Sequence, residues 1–263
     1  MASIQAVKLE LAANSSWSNT TTLVAPVADD VVYAVVAVLA DNTVPACALD
    51  GDAMTLEDSR LDTEWDIYLF RKVLDGAEDA TDAPIVSGIS GHYGGIAMYQ
   101  IRPGAAGTPV LGDSAKITNL GASPGPQDIV TAALSGDMDV VLGFAIASDH
   151  GAGAQSAVSD ETGDFDSTAT AGEASAGDGT EFAAFAGAVV ATGKSANTYR
   201  VDANAGDISG SDYFTAITYG VEVEGAAVPD TSPDFYSNYE RRSLSAKELP
   251  FRLDTSLLRG VFQ

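Results

Sequence analysis

The sequence predicts an all-β protein, an antiparallel β-sandwich of jelly-roll-like type that carries an extended C-terminal arm. Short segments in which apolar and polar residues alternate recur through residues 1–225, and Asp-Gly, Gly-Gly and Pro-Gly pairs separate them. No segment of twelve or more residues has a convincing helical period. A change of composition near residue 226 predicts the arm.

The most apolar segment runs from Val31 to Ala40, where ten consecutive residues carry no charge and five are valine. A membrane span needs about 20 apolar residues, and a signal core would follow positive charges at the N-terminus. β-branched residues favour a strand over a helix. The segment is therefore predicted to be a strand buried on both faces. Residues 139–147 have the same character, and we expect these two segments to be the central strands of facing sheets.

The remaining predicted strands show period-two alternation. In 63–74, Trp65, Ile67 and Leu69 are expected on one face, with Tyr68 and Phe70 on the other. Residues 150–179 are poor in bulky side chains and are predicted to form long surface loops with at most one weak strand. The predicted strands are 5–13, 31–40, 63–74, 94–104, 136–148, 180–193, 197–205 and 212–225.

The charge balance restricts the classes of partner. The 263 residues include 37 acidic and 13 basic side chains, which gives a formal net charge of −24. Such a surface repels nucleic acids and anionic lipids, so neither is expected as a partner. The acidity is interpreted as a solvated surface suited to solubility or to a salty medium, with calcium binding as the alternative.

The sequence holds few signals of catalysis, and we expect the protein not to be an enzyme. Ser90 and His92 lie in Gly-Ile-Ser-Gly-His, where a nucleophile elbow would require glycine at position 92. Cys47, the only cysteine, has no histidine nearby and is interpreted as a small apolar residue. His150 likewise lies among glycines without a partner histidine. No cofactor is expected.

Metal-binding patterns are also incomplete. Aspartates cluster in 50–52 and 164–166, but neither cluster continues into the spacing of a calcium loop. Solvation of loops is the default interpretation of both clusters. We therefore expect a fold that needs no metal.

Residues 226–263 are predicted to form a docking arm, which leaves 1–225 as the sandwich domain. Segment 240–263 holds five basic and three acidic residues, a formal charge of +2; the other eight basic and 34 acidic residues give 1–239 a charge of −26. Large apolar residues are spaced through the segment, which is atypical of a disordered tail. The arm is expected to dock on a neighbouring copy, on a different partner, or back on its own domain. The candidate docking residues are Arg241, Arg242, Lys247, Phe251, Arg252, Leu257, Leu258, Arg259 and Phe262.

The order of segments resembles that of a family of β-sandwich proteins encoded in bacteriophage structural gene clusters. The likeness lies in the pattern of strands and covers roughly 1–225. The segments that carry it are VADDVVYAVVAVLAD (27–41), LDGDAMTLED (49–58), WDIYLFRKVL (65–74), GIAMYQIRPG (95–104), DVVLGFAIAS (139–148) and YFTAITYGVEV (213–223).

The resemblance implies a virion structural protein that is assembled in the host cytoplasm. Its partners would be capsid or tail proteins, and it would form a homo-oligomer, with a trimer as one option. A capsid decoration or cement protein is favoured, because the chain has one domain and an arm without a repetitive shaft. The alternative is a tail- or fibre-associated adhesin that binds a receptor or glycan through loops 150–179 and exposed aromatic residues such as Tyr93, Tyr99 or Phe165. A hydrolase on a jelly-roll scaffold is a third, weaker hypothesis.

The missing ligand spacing leads to a prediction about metal dependence. We expect a chelator to leave the melting temperature unchanged, because no step of folding would require a bound ion. Differential scanning calorimetry with and without EDTA measures this. A decrease of more than a few degrees would contradict the prediction.

Overall fold

The computed structural model describes residues 2–12, 21–39, 43–61, 65–89, 93–104, 109–120, 127–130, 137–149, 158–159, 164–175, 181–195, 200–203 and 213–223. The chain divides into two units, Met1–Gly225 and Ala226–Gln263. All described residues belong to the first unit. The predicted arm therefore lies outside the described residues.

The described residues form strands and no helix. In chain order, the strands are β1 (Ser3–Ala12), β2 (Val31–Leu39), β3 (Ala46–Leu49), β4 (Asp52–Ala53), β5 (Thr55–Arg60), β6 (Trp65–Val73), β7 (Ile85–Ser87), β8 (Gly94–Arg102), β9 (Pro109–Leu120), β10 (Gln127–Val130), β11 (Asp137–Asp149), β12 (Val158–Ser159), β13 (Ser167–Ser175), β14 (Glu181–Ser195), β15 (Arg200–Ala203) and β16 (Tyr213–Val223).

These strands make two large and two small antiparallel sheets. The first large sheet has the order β1-β8-β2-β6-β5, and the second has the order β13-β14-β11-β16-β9. The small sheets are β4-β3-β7 and β10-β15-β12. β2 and β11 are the central strands of the large sheets, as the sequence predicted.

The two large sheets pack face to face around one core, which confirms the predicted β-sandwich. Side chains of β2, β6 and β8 meet those of β11, β14 and β16, with β1 packed at the margin. Each sheet comes from one half of the chain, whereas strands of a jelly roll alternate between the sheets. The jelly-roll detail of the prediction is therefore not confirmed.

The first sheet is also covered on its other face. The sheet β4-β3-β7 and segments 21–30 and 74–89 contribute a second apolar cluster, to which β2 adds its even-numbered valines. The side chains from Val31 to Val38 are consequently at most 1% exposed, and the expected burial of this strand on both faces is confirmed. Antiparallel sheets more commonly leave one face in water.

The predicted alternation in β6 is confirmed by the two cores. Trp65, Ile67 and Leu69 face the core between the large sheets, and Tyr68 and Phe70 face the second cluster. One segment thus supplies large side chains to both layers. This arrangement makes β6 the bulkiest strand of the first sheet.

The sandwich is closer at one edge than at the other. β1 lies against β13 and β14, where the inward positions of β14 are Ala184, Ala186 and Ala188. At the opposite edge, β5 and β9 are joined by long polar side chains: Arg60 donates to the hydroxyl of Ser114, which donates to Asp58. Small side chains let sheets approach closely and large ones keep them apart. The alanine row of β14 therefore accounts for the closer edge.

Buried tyrosines connect the two sheets. The Tyr99 hydroxyl donates to the Gly143 carbonyl oxygen at 2.6 Å, and Tyr33 donates to the Pro109 carbonyl oxygen at 3.2 Å. Desolvation raises the pKa of both phenols, so both stay protonated as donors at neutral pH.

For 150–179 the sequence predicted long loops with room for one weak strand, and the described part of this segment holds the two-residue β12 and the nine-residue β13. Residues 167–175 form the edge strand β13, and Phe165, 5% exposed, packs on the outer face of the second sheet. Its ring fills the space above Gly143 and Gly187, which pair across β11 and β14. These two positions require glycine, because the ring occupies the space that a larger side chain would need. Composition hid this strand, since its residues are small rather than bulky.

The fit between Phe165 and its glycines gives a stability prediction. We expect Phe165→Ala to lower the free energy of unfolding by about 3–5 kcal/mol through the cavity it leaves. Gly143→Ala should cost about 1–3 kcal/mol, because the added methyl group collides with the ring.

The double variant is the decisive control, because the new methyl group then has room. Its loss, measured by urea unfolding, should be smaller than the sum of the two single losses. Additive losses would show that the ring and the glycines do not form one packing unit.

Candidate functional site

The Asp30 cluster consists of the side chains of Asp30, Gln100 and Arg102 and lies at one end of the first sheet. Asp30 is fully buried at the start of β2, and Arg102 at the end of β8 binds both carboxylate oxygens, Nε at 2.8 Å and Nη2 at 2.9 Å. Gln100 donates to the same carboxylate at 2.8 Å. This paired, bidentate geometry is the arrangement in which a buried charge is stable.

The Asp30 cluster also holds the loop that precedes β2. Gln100 exchanges hydrogen bonds with the backbone of Val24, at 2.8 Å to its N–H and 3.1 Å to its carbonyl oxygen. Arg102 donates to the carbonyl oxygen of Ala25 at 3.0 Å. Ala25 and Asp29 have φ values of 40° and 71°, which only a well-fixed loop sustains. The cluster therefore has a structural task.

The Lys72 cluster lies at the same end of the first sheet, because Lys72 of β6 and Gln100 of β8 both pair with Val32 of β2. The ammonium group of Lys72 donates to the Leu49 carbonyl oxygen at 2.9 Å and to Asp52 at 3.1 Å, and it forms an ion pair with Glu78 at 2.9 Å. Glu78 is almost completely buried, with 1% of its side chain exposed, and also accepts from the N–H of Gly76. These three contacts tie β3, β4 and segment 74–83 to β6.

The pKa of Lys72 reports the balance of forces on this cation. Desolvation acts to lower the pKa, but the hydrogen bonds and charges of Glu78 and Asp52 outweigh it, and the pKa is raised. The ammonium group therefore stays charged at neutral pH. It acts as a fixed cation and not as a base.

A surface depression of about 320 Å³ lies beside the Lys72 cluster. Two carboxylates, two apolar side chains, a threonine and a glycine line it: Asp50, Gly51, Thr81, Asp82, Ala83 and Ile85. Asp82 already accepts a hydrogen bond from the N–H of Asp79 at 2.7 Å. Asp50 and Gly51, with φ values of 52° and 78°, form the turn between β3 and β4. The depression is therefore bordered by turns, and the Asp82 carboxylate is occupied within one of them.

The described residues contain no group of three or more histidines, cysteines or carboxylates placed to hold a metal ion. The Asp50–Asp52 pair that the sequence singled out supplies one carboxylate to Lys72. Asp164 and Asp166 flank the buried ring of Phe165.

The interpretation of Cys47 as an apolar residue agrees with its surroundings. The thiol is 3% exposed in the second core, and Sγ lies 3.4 Å from Sδ of Met54. Desolvation raises its pKa to about 12, so the nucleophilic thiolate is scarce at neutral pH. Ser90, His92 and His150 lie outside the described residues.

The aromatic residues proposed for ligand binding are placed differently from the expectation. Tyr99 is fully buried in the main core and Phe165 is 5% exposed, so the expectation that they are exposed is wrong. Tyr93 is half-buried and packs against the main core. Inward orientation on a strand and the glycine pair beneath Phe165 explain the difference.

All the predicted docking residues, from Arg241 to Phe262, lie outside the described residues. The two charged clusters were not anticipated. A signal was present, because Asp30, Lys72, Gln100 and Arg102 each interrupt or border an apolar strand. Their pairing depends on strand order, which the sequence pattern did not supply.

The Lys72 cluster gives a prediction that separates buried from exposed partners. Lys72→Met leaves the carboxylate of Glu78 buried without a counter-charge and should lower the free energy of unfolding by about 3–5 kcal/mol. Asp52→Asn is the matched control: this side chain is 71% exposed, and its loss should cost at most about 1 kcal/mol.

The same pair has a pH signature. Because the pKa of Lys72 is raised in the folded state, its stabilisation is complete below the unfolded-state pKa of 10.5 and is lost as pH rises through the folded value. The stability difference between the native protein and Lys72→Met, from urea unfolding, should shrink only at such alkaline pH. A difference that shrinks near neutral pH would contradict this account.

Comparison with known proteins found no relative of this chain. No family model matches the chain, and neither curated proteins nor solved structures give a match. In the part of the chain that the structure describes, no helix has the length and apolar character of a membrane span.

Proposed function

We propose that this chain is a structural component of a phage virion, a capsid decoration or cement protein that attaches through residues 226–263. The observation that carries the proposal is the separation of charge along the sequence. Residues 1–239 have a formal charge of −26, whereas 240–263 are basic and rich in large apolar residues. Opposite charge directs encounter, and apolar side chains supply buried area.

The architecture of residues 1–225 supports a mechanical task. The first sheet is covered on both faces, and ion pairs fix the segments that cover it. The charges of Asp30, Lys72, Glu78 and Arg102 are used to hold loops in place.

The alternative of a glycan-binding adhesin receives less support. Two of the three aromatic residues proposed for it, Tyr99 and Phe165, are buried. Sugars are bound by aromatic faces together with polar groups at the rim of a site. Tyr93, half-buried, is the remaining member of that set.

The proposal predicts that the arm is needed for assembly and not for folding. A chain that ends at residue 228 should keep the circular dichroism spectrum and cooperative unfolding of the full chain, because the cores described above lie within 1–225. The full chain should form a defined oligomer and the short chain a monomer. Light scattering of the two proteins at equal concentration measures their native masses.

Two variants of the full chain separate the roles of charge and apolar area. Arg241→Glu with Arg242→Glu should weaken assembly, while Arg241→Lys with Arg242→Lys keeps the charge and should leave assembly nearly intact. Phe251→Ser with Phe262→Ser tests the apolar anchors. A short chain that still forms the normal oligomer would show that the arm does not assemble the protein. If both chains are monomers, the arm awaits another protein or packs on its own domain, and binding to glycans is tested next.

A further inference from the structure

The two large sheets have the same strand order when each is followed from the edge that carries its first strand. The first runs β1-β8-β2-β6-β5, and the second runs β9-β16-β11-β14-β13. If the five strands of each half are numbered as the chain makes them, both sheets have the order 1-5-2-4-3. Every neighbouring pair is antiparallel in both sheets.

The agreement extends to the register of single residues. Val31 lies opposite Ile101 and Val73 in the first sheet, and Val140 lies opposite Val221 and Val190 in the second. The same correspondence holds for every partner pair of the β1–β8, β2–β8 and β2–β6 ladders, each of which has its counterpart in β9–β16, β11–β16 and β11–β14. A slip of one residue would turn every side chain to the other face, so matching register is a demanding criterion.

A β-bulge occurs at the same place in both halves. In β1 the register shifts at Gln5, opposite the step from Ile101 to Gln100. In β9 it shifts at Gly112, opposite the step from Val221 to Gly220. Bulges are features that related proteins retain.

Short identities lie at corresponding positions. The sequence Asp-Val-Val begins at Asp30 before β2 and at Asp139 in β11, and Tyr99 of β8 corresponds to Tyr219 of β16. Thr-Glu-Trp at 63–65 corresponds to Thr-Glu-Phe at 180–182.

The paired aspartates also have parallel roles at the end of the last strand of each half. Asp30 binds the side chain of Arg102. Asp139 accepts from the N–H of Val223 at 2.7 Å. Each carboxylate thus fixes the place where its sheet ends.

We infer that residues 3–102 and 109–223 are two copies of one five-stranded fold joined in tandem, and that the inner face of each copy is an interaction surface whose partner is a second copy of the same fold. The small strands agree with this inference. β3 and β12 follow the second strand of their copies, β7 and β15 precede the fifth, and each forms an antiparallel pair with its companion.

The copies have diverged where they meet. The inward positions Ile67 and Leu69 of β6 correspond to Ala184 and Ala186 of β14. Large side chains in one copy thus stand where the other has alanine. This difference explains why β1 approaches β14 closely while the other edge is bridged by Arg60.

The ends of the copies permit their order to be reversed. Ser3 pairs with Arg102, and Pro109 pairs with Val223, so each copy begins and ends on neighbouring strands about 4.8 Å apart. Residues 103–108 join the end of the first copy to the start of the second. A link from Val223 to Ser3 joins the same two places, and six residues can span about 20 Å.

The test is a rearranged chain with the copies in reverse order. It consists of 105–223, a six-residue Gly-Ser link, 3–104, and then 224–263, so that the arm again follows a fifth strand. We expect the native circular dichroism spectrum and a melting temperature within about 5 °C of that of the natural chain. A matched control keeps the same link but opens the chain between residues 62 and 63, inside the first copy. Its melting temperature should fall clearly further than that of the reversed chain.

Each outcome bears on the inference. Folding of the reversed chain with a larger loss in the control supports two interchangeable copies. Failure of the reversed chain with both a six-residue and a twelve-residue link overturns the inference, as does a control that equals the reversed chain in stability. These readouts concern folding alone, so they are independent of whether the arm assembles the protein.

Discussion

Burial of the first sheet on both of its faces is the constraint on which the rest of the structure depends. An antiparallel sheet with two covered faces needs partners on each side, and the chain supplies the second large sheet on one and a small sheet with two pinned segments on the other. The covering segments must be fixed, because water entering beneath them would wet the central strand. The ion pairs of Asp30 and Lys72 satisfy that requirement, and this explains why charged groups are buried at all.

The two faces are held by different kinds of interaction. Between the large sheets the contact is apolar, with tyrosine hydroxyl groups reaching across to backbone carbonyl oxygens. On the outer side, polar clusters at the ends of the strands fasten loops over a smaller apolar layer. The large sheets are held together by the apolar area buried between them. The outer loops are held by the fixed geometry of the polar clusters, since a bidentate arginine tolerates little displacement. A structural role in an assembly is consistent with both.

The sequence pattern was sufficient to predict the fold class and the central strands, because uninterrupted valine-rich segments are typical of strands buried on both faces. It was insufficient for β13, whose residues are small, and for the pairing of Asp30 with Arg102, which are 72 positions apart. Pairing at such separation follows from strand order, and alternation alone does not determine strand order. Tyr99 was expected at the surface, although Ala97 and Ile101, its neighbours on the same face of β8, are apolar.

The position of the single thiol allows local opening of the outer layer to be measured by chemical modification. Cys47 lies on β3 of the small sheet and is buried in the second apolar cluster, away from the interface between the large sheets. A thiol reagent reaches it only when the outer layer lifts, so its rate of modification measures the stability of that layer separately from the sandwich. No engineered label is required, because the chain contains no other cysteine.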